Sequence, residues 1–505
     1  MFSTSIWGQN SSSKNYLYPN IEKGRYDVGF QTIIDLDYSR TYNWNYPNDT
    51  NSHIKHPRPI ITNIWYPALS SKKNKKMLYG DYIKFKTKVL SLKTFLERIE
   101  KYNIMNSSYY MFYKDSLNDD EEKQFMNHLN EPISVFKNAQ PIKDKFPLVI
   151  YHAGLGGTLN DNTILCEYLA SNGYVVISGA FQSNDYLEVE LDWDLERSTK
   201  DINFMLNTVK NLPFINFSKI AAIGHSYGAQ AILGYKTEDF SPVNCLISLD
   251  NTFDYSFDEN PEGFEPLTLK FYDKIKNMNV PTLVFAGPQA SFKVMDSLKF
   301  SDRIYATIEL GHNDYISLSS YASHKGLQIR IDKDSTWEKY RQINEHCLNF
   351  LNYTLCGDFA SKKKVLTKSQ FIKEVIEIPT GKTLSKKIIE YSDFSIPPNY
   401  FEIKLLLKNK AMEKIDKLIH LYPYLFEEDF LNNEGYIAMS KDVDFAIYLF
   451  QKNVDLYPES WNAFDSLGEA YYVKGQKDLA KINYSKSLEL NPNNEGAKKI
   501  LEKLN

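Results

Sequence analysis

Cysteine is scarce in this chain. Four in 505 residues, Cys166, Cys245, Cys347 and Cys356, are scattered singly. That excludes a disulfide framework and the paired spacing of a zinc site. Cys245 lies in an apolar run and reads as a small core hydrophobe. An excess of charge of either sign is also missing. Lys+Arg 59 against Asp+Glu 63 leave a net charge of −4, so there is no electrostatic case for nucleic acid, which wants a basic stripe. No run approaches the roughly 18 apolar residues of a transmembrane helix. The first twenty residues have neither the basic start nor the apolar stretch of a signal peptide. The expectation is a soluble, cytoplasmic protein, or an exported one if a signal was trimmed before Met1.

What is present is a globular composition, 43% hydrophobic and 24% charged, over a length that suggests two or three domains. Residues 32–37 and 60–66 are β-branched and aromatic runs that read as strands. An insertion at about 71–142 follows. It opens on the basic loop SKKNKK, carries helical periodicity in YIKFKTKVLSLKTFLERIEKY, and has an acidic helix start in NDDEEKQ. From 146 onwards short apolar runs (PLVIYH, YVVISG, KIAAIG, NCLISLD, VPTLVFAG) alternate with helical segments. That alternation predicts a mostly parallel sheet flanked by helices and joined by right-handed crossovers. We place this α/β domain at 20–365, a linker at 366–399, and an all-α region at 400–505. In the last, Ala411, Ala446 and Ala480 start segments that share Ala, Leu and Pro at equal offsets, 35 and then 34 residues apart. That is the tetratricopeptide period, a repeated helix hairpin. Leu467, Gly468 and Tyr471 stand at the expected places in the final repeat.

Gly224-His225-Ser226-Tyr227-Gly228 has the G-x-S-x-G form of a nucleophile elbow, a sharp strand-to-helix turn that exposes the serine while glycines leave room around it. It directly follows the strand-like KIAAI and precedes the helix-like AQAIL, the context the motif requires. This predicts an α/β-hydrolase sheet with Ser226 as nucleophile. A base is expected downstream. His420 lies in the repeats and His346 inside a helix; His324 sits in a Ser/Tyr-rich loop. His312, in the loop after YATIEL, is favoured. The acid is expected before it. The loop after VPTLVFAG has no carboxylate, whereas CLISL ends in Asp250 at the carboxyl end of a parallel strand, where such active sites lie. Asp254 is the rival. Oxyanion donors are expected from the backbone of Tyr227 and of Leu155, the latter in the loop His152-Ala153-Gly154-Leu155-Gly156-Gly157. His152 reads as a loop-shaping residue.

At this point the chain resembles the plasma-type (isoform II) platelet-activating-factor acetylhydrolases and their dienelactone-hydrolase-like relatives. The likeness rests on Asp37-Tyr38-Ser39-Arg40, Arg58-Pro59 and Trp65-Tyr66-Pro67-Ala68. It extends to His152 with Gly154-Leu155-Gly156 (Ala153 being an extra residue), to Arg197 with Asp201, and to Gly224 through Gly228. It spans about residues 24–350; the insertion at 71–142 and the repeat tail lie outside it. The resemblance implies an acid on the strand after the elbow helix and a histidine in a loop after the last strands, in keeping with Asp250 and His312. It also implies a short-acyl or lipid-type ester as substrate.

The leading reading is therefore a serine hydrolase that cleaves a carboxylic ester through Ser226, His312 and Asp250, with no metal or organic cofactor. The alternatives are a peptidase or amidase on the same triad, and an interaction protein whose repeats bind a partner while the hydrolase domain is inert. The repeats are expected either to bind a protein partner or to dock on the hydrolase domain. The insertion is expected to cap the site.

Overall fold

The computed structural model describes residues 16–42, 56–85, 90–112, 114, 116–180, 195–238, 241–256, 274–327, 333–379, 398 and 400–504. Strands β1 (Tyr16–Tyr18) and β2 (Ile21–Glu22) form a small antiparallel pair. The large sheet is built from β3 (Asp27–Tyr42), β4 (His56–Ala68), β5 (Lys76–Leu78), β6 (Pro132–Lys137) and β7 (Phe146–His152). It continues with β8 (Val175–Gly179), β9 (Ile215–His225), β10 (Cys245–Leu249), β11 (Thr282–Ala286), β12 (Arg303–Ile308) and β13 (Ile372–Ile378). Their order across the sheet is β13-β12-β11-β10-β9-β7-β8-β4-β3-β6-β5.

From β8 through β7, β9, β10 and β11 to β12 every pairing is parallel, while β4 runs antiparallel to β8 and β13 antiparallel to β12. The order β8-β7-β9 places β7 between its two successors. The helices between the strands, α3 (Thr163–Ser171), α4 (Leu195–Val209) and α5 (Tyr227–Thr237), supply the crossovers. Strands covered on both faces cannot alternate polar and apolar residues. Accordingly β7, β8, β10 and β11 are buried at every position. This is an α/β-hydrolase-type sheet, as the run of apolar segments implies.

Two boundaries differ from the expectation. The insertion at 71–142 is not wholly a cap: β5 and β6 extend the sheet beyond β3, with β6 parallel to β3 and β5 antiparallel to β6. Its described remainder includes two helices. Helix α1 (Leu90–Phe112) buries Leu92, Phe95, Leu96, Ile99, Asn103, Ser107 and Met111, a stripe at three- and four-residue spacing. Helix α2 (Asp119–Leu129) starts where the acidic run sits, because Asn118 accepts from the Glu121 N–H and the Glu121 side chain accepts from the Asn118 N–H. The second difference is at 366–399, expected to be a linker: its residues 372–378 are β13. Ile372 and Val375 pack on the sheet core, and the backbone completes the edge of β12. The breaker-rich stretch 380–397 lies outside the described residues.

The chain divides into two compact units. The second gathers residues 397–505 together with 36–41 and 55–58. Those last two segments were expected in the hydrolase domain. In this unit Asp37, Arg40 and Arg58 are buried; the Asp37 carboxylate accepts from the Ser39 hydroxyl at 2.6 Å and from Arg40 Nε at 2.7 Å. The C-terminal helices pair as Tyr400–Lys408 with Met412–Leu421, Glu428–Met439 with Val443–Leu456, and Trp461–Val473 with Lys477–Leu490. Glu495–Leu504 packs last. Ala446 and Ala480 are fully buried at the crossings, and Gly435 and Gly468 lie against the rings of Phe450 and Tyr484. A Cβ on Gly435 would stand 2.4 Å from Phe450. Ala411 departs from this pattern. The chain turns at Lys410 with φ 51°, its helix starts only at Met412, and Ile415 and Leu418 take the buried positions instead.

Candidate active site

Three turns at the carboxyl ends of parallel strands meet at one place. The first follows β9. Ser226 has φ 54° and ψ −124°, a conformation a non-glycine residue adopts only where its surroundings impose it. Those surroundings are visible. The Ser226 N–H donates to Leu249 O at 2.9 Å, and the flanking glycines admit no side chain. A Cβ on Gly224 would lie 2.3 Å from Gly228 O, and one on Gly228 would lie 2.3 Å from His152 O. Backbone approaches this close are what fix the elbow.

The second turn follows β10. Asp250 also has positive φ, 50°, and its N–H donates to Phe285 O at 2.8 Å. The third follows β12, where His312 opens a short 3-10 turn, His312–Tyr315. His312 Nδ1 lies 2.6 Å from Asp250 Oδ2, and His312 Nε2 lies 2.8 Å from Ser226 Oγ. With the carboxylate accepting, the proton sits on Nδ1. The Nε2 lone pair then faces the serine hydroxyl. Asp250 is buried, while the His312 side chain is 43% exposed, so the imidazole is open to solvent.

The rivals lie elsewhere. Asp254, in α6 (Phe253–Ser256), is fully buried, and neither carboxyl oxygen has a hydrogen-bond partner among the described residues. Burial first, then the neighbouring Asp250 and Asp296, raise its pKa well above the carboxylate range and favour the neutral acid. His324 stacks on Trp337 with ring centroids 5.2 Å apart. His346 donates from Nδ1 to Gln342 O within its own helix, and His420 lies in the last turn of Met412–Leu421.

Two supporting residues carry no sequence signal of their own. Tyr255, one turn beyond Asp250, donates its hydroxyl to Asp250 Oδ1 and accepts from the Gly287 N–H at the end of β11. His225 donates from Nε2 to His312 O at 2.9 Å, and its ring lies 4.9 Å from that of His312. Burial above all, then the nearby His312, pushes the His225 imidazole down to about 3, so it is neutral. It reads as a fixed strut under the His312 loop. Its place next to the serine offered no means of separating that part from a motif filler.

The glycine loop after β7 completes the site. Gly157 N–H donates to Gly154 O at 3.0 Å and Gly156 has φ +72°, the pattern of a type II turn with glycine at its third position. Gly154 abuts Ser226: a Cβ there would lie 3.1 Å from Ser226 Cβ. Leu155 is the second residue of this turn, and Tyr227, buried, is the first of α5. His152 donates from Nδ1 to Ala153 O at 2.9 Å; burial lowers it to about 4. Arg197 and Asp201 both lie on α4, and the Asp201 carboxylate opposes that shift. Behind the loop are two buried carboxyls. Asp161, which accepts from Tyr151 Oη at 2.9 Å, is raised by burial to about 7. Glu167, which accepts from Tyr18 and Tyr82 at 3.0 and 2.9 Å, is raised by burial to about 8.

Among the described residues there is no cluster of three or more His, Cys, Asp or Glu able to hold a metal ion, and no helix long and apolar enough to cross a membrane.

The family described as platelet-activating factor acetylhydrolase, isoform II, matches residues 122–185. That stretch includes the glycine loop and stops short of Ser226, Asp250 and His312. A ferulic acid esterase from Streptomyces cinnamoneus is similar in structure, with a TM-score of 0.47 and 18% identity over 70% of this chain and 97% of that one. No curated protein matches the sequence. The family match supports an esterase of the α/β-hydrolase kind.

Proposed function

We propose that the chain is a serine hydrolase that cleaves a carboxylic ester through an acyl-enzyme. The observation that carries this is the continuous hydrogen-bond line from Asp250 through His312 to Ser226, at 2.6 and 2.8 Å, assembled from three separate strand ends. Ser226 Oγ attacks the carbonyl carbon as His312 Nε2 takes its proton. Asp250 holds the tautomer and offsets the imidazolium charge. The backbone N–H groups of Leu155 and Tyr227 receive the oxyanion. Collapse of the tetrahedral intermediate expels the alcohol, protonated by His312. Water, deprotonated by the same imidazole, then releases the acid.

The class of ester is short-acyl or lipid-type, by analogy with the family matched at 122–185. Helix α1 of the insertion serves as the wall of the site that screens what enters. The C-terminal helix pairs are read as tetratricopeptide repeats that recruit a protein partner; the buried alanines and glycines at their crossings support this.

A serine-directed fluorophosphonate probe and p-nitrophenyl acetate test the reading together. Wild-type protein is expected to label and turn over, and Ser226→Ala to do neither. His324→Ala and Asp254→Asn should keep the chemistry. Hydrolysis surviving in Ser226→Ala would remove the proposal. Faster turnover of a matched anilide than of the ester would move it to the amidase alternative.

A further inference from the structure

We infer that Tyr102, on helix α1 of the insertion, is a positioning residue for the oxyanion loop, so that the insertion helps to assemble the catalytic site as well as to wall it. The inference rests on the serine-hydrolase reading above and extends it to a residue outside the strand-end turns.

The Tyr102 hydroxyl donates to Gly156 O at 3.3 Å. That carbonyl belongs to the Gly156–Gly157 peptide, whose N–H is already committed to Gly154 O at 3.0 Å. Both ends of one peptide plane are thus tied, one by the turn itself and one by the insertion. The plane needs the second tie. Gly156 is at φ +72° with nothing within 4 Å of a Cβ placed there, so packing does not hold it. A glycine is also the residue most free to rotate. The preceding residue is Leu155, the proposed donor, whose N–H direction follows the tilt of the turn. On the other side the turn is stiff, because a Cβ on Gly157 would meet Asp161 Oδ2 at 2.6 Å. The part of the loop that is not crowded by neighbours is therefore the part that Tyr102 reaches.

Helix α1 can deliver the hydroxyl with some accuracy. Ile99 and Asn103, on either side of Tyr102 in the chain, are buried, and α1 packs along helix Ser317–His324. The N-terminus of that second helix is itself fastened to the glycine-loop segment: Leu318 N–H and Ser317 Oγ both donate to Asp161 O, at 3.0 and 2.9 Å. Insertion, second helix and loop form one mechanical unit. A substrate that displaced α1 would loosen the oxyanion loop together with the wall.

An oxyanion donor acts on the transition state and little on the bound ester. Tyr102→Phe keeps the ring and removes the tie. It is expected to lower kcat for p-nitrophenyl acetate about fivefold, the fold-change an ordinary hydrogen bond is worth, with KM within about twofold. It should also weaken binding of a trifluoromethyl ketone, which forms a tetrahedral adduct, by a similar factor, and leave the shape of the pH profile unchanged. Leu96→Val, which loosens the buried face of the same helix without touching the hydroxyl, separates the two possible roles. If Tyr102→Phe matches wild type in kcat and in ketone affinity, the inference is wrong. If Leu96→Val reproduces the loss and Tyr102→Phe does not, the helix acts by bulk and the hydroxyl has no part. Tyr102→Leu, with the same expected pattern, replaces the Phe variant should that misfold. Ser226→Ala, run alongside, shows whether the site reading itself has failed, since only that failure leaves the control active.

Discussion

Asp250→Asn should cost more than the loss of one charge, because the surrounding hydrogen bonds dictate how the amide must sit. In the wild type Oδ2 accepts from His312 Nδ1 and Oδ1 accepts from the Tyr255 hydroxyl, which in turn accepts from the Gly287 N–H. An asparagine fits the same space in two ways. With its oxygen toward His312, the amide NH2 faces Tyr255; the phenol would then accept twice, and its own proton would have no acceptor. With its oxygen toward Tyr255, that network is intact and the NH2 faces His312 Nδ1. The second arrangement is favoured by about one hydrogen bond to a buried group, about 1–3 kcal/mol. It forces the proton onto Nε2, so the imidazole can no longer accept from Ser226. The expected loss in kcat is about 10⁴-fold, the size seen when a triad acid is turned into a wrong-tautomer amide. At 1.36 kcal/mol per tenfold that is about 5.4 kcal/mol of barrier. Stopped-assay kinetics on p-nitrophenyl acetate, with thermal unfolding as a folding control, give the number. The same logic gives a reversal. In Asp250→Asn/Tyr255→Phe nothing opposes the productive flip, so the double variant should recover at least about tenfold over the single one. A double variant no faster than Asp250→Asn would refute the argument that Tyr255 sets the orientation of the acid.

Two further outcomes concern the architecture around the site. Gly228→Ala puts a methyl 2.3 Å from His152 O and 2.4 Å from Ala153 O, backbone atoms that have little freedom to retreat; it should destabilise by about 1–3 kcal/mol and abolish probe labelling, whereas a variant of wild-type stability and labelling would mean the elbow is more pliant than its contacts indicate. Glu167 has its pKa raised on folding to about 8, so its contribution is complete below the unfolded value of about 4.3 and is lost as pH rises through 8. Urea unfolding should therefore show Glu167→Gln losing less stability than wild type between pH 5 and pH 9; parallel curves would contradict a buried neutral carboxyl. On the acid side the depressed imidazoles of His225 and His152 act oppositely, withdrawing stability as pH falls from about 6.5 towards 4 and 3.

The parallel part of the sheet was legible because doubly covered strands must be apolar throughout, and LVIY, VVIS, CLISL and TLVFA declare that without help from their neighbours. Ser226 was legible for a different reason: two glycines and a strand-helix context are a local steric requirement. The sequence order of Asp250 and His312 could be read, and the structure brings both to the serine. What eluded the sequence is whatever depends on distant partners. Tyr255 becomes meaningful only through Gly287, and Tyr102 only through Gly156, more than fifty residues away. Asp254 stands as the rival of Asp250 in the sequence; what separates them in the structure is that Asp254 is buried without a hydrogen-bond partner for its carboxyl among the described residues. The strand character of β5 and β6 was masked by the charged and helical segments around them. The edge strand β13 reads as linker because IKEVIEI shows no clean alternation and only Ile372 is fully buried, unlike the solid apolar runs of the interior.

That edge strand changes what the large sheet presents at its border. A bare β12 would offer a row of free backbone donors and acceptors on a flat apolar border, an invitation to stacking between molecules. β13 takes up those groups and replaces the border with its own, where Lys373, Glu374 and Glu377 are exposed and Lys362 reaches across to Glu377 at 2.6 Å. The border of the large sheet is thus set by residues that lie apart from Ser226, Asp250 and His312. Any shortened form that ends before Ile372 bares the backbone groups of β12 that β13 now pairs and removes the charged side chains of the present edge, and its failure would be one of colloid behaviour before it was one of chemistry.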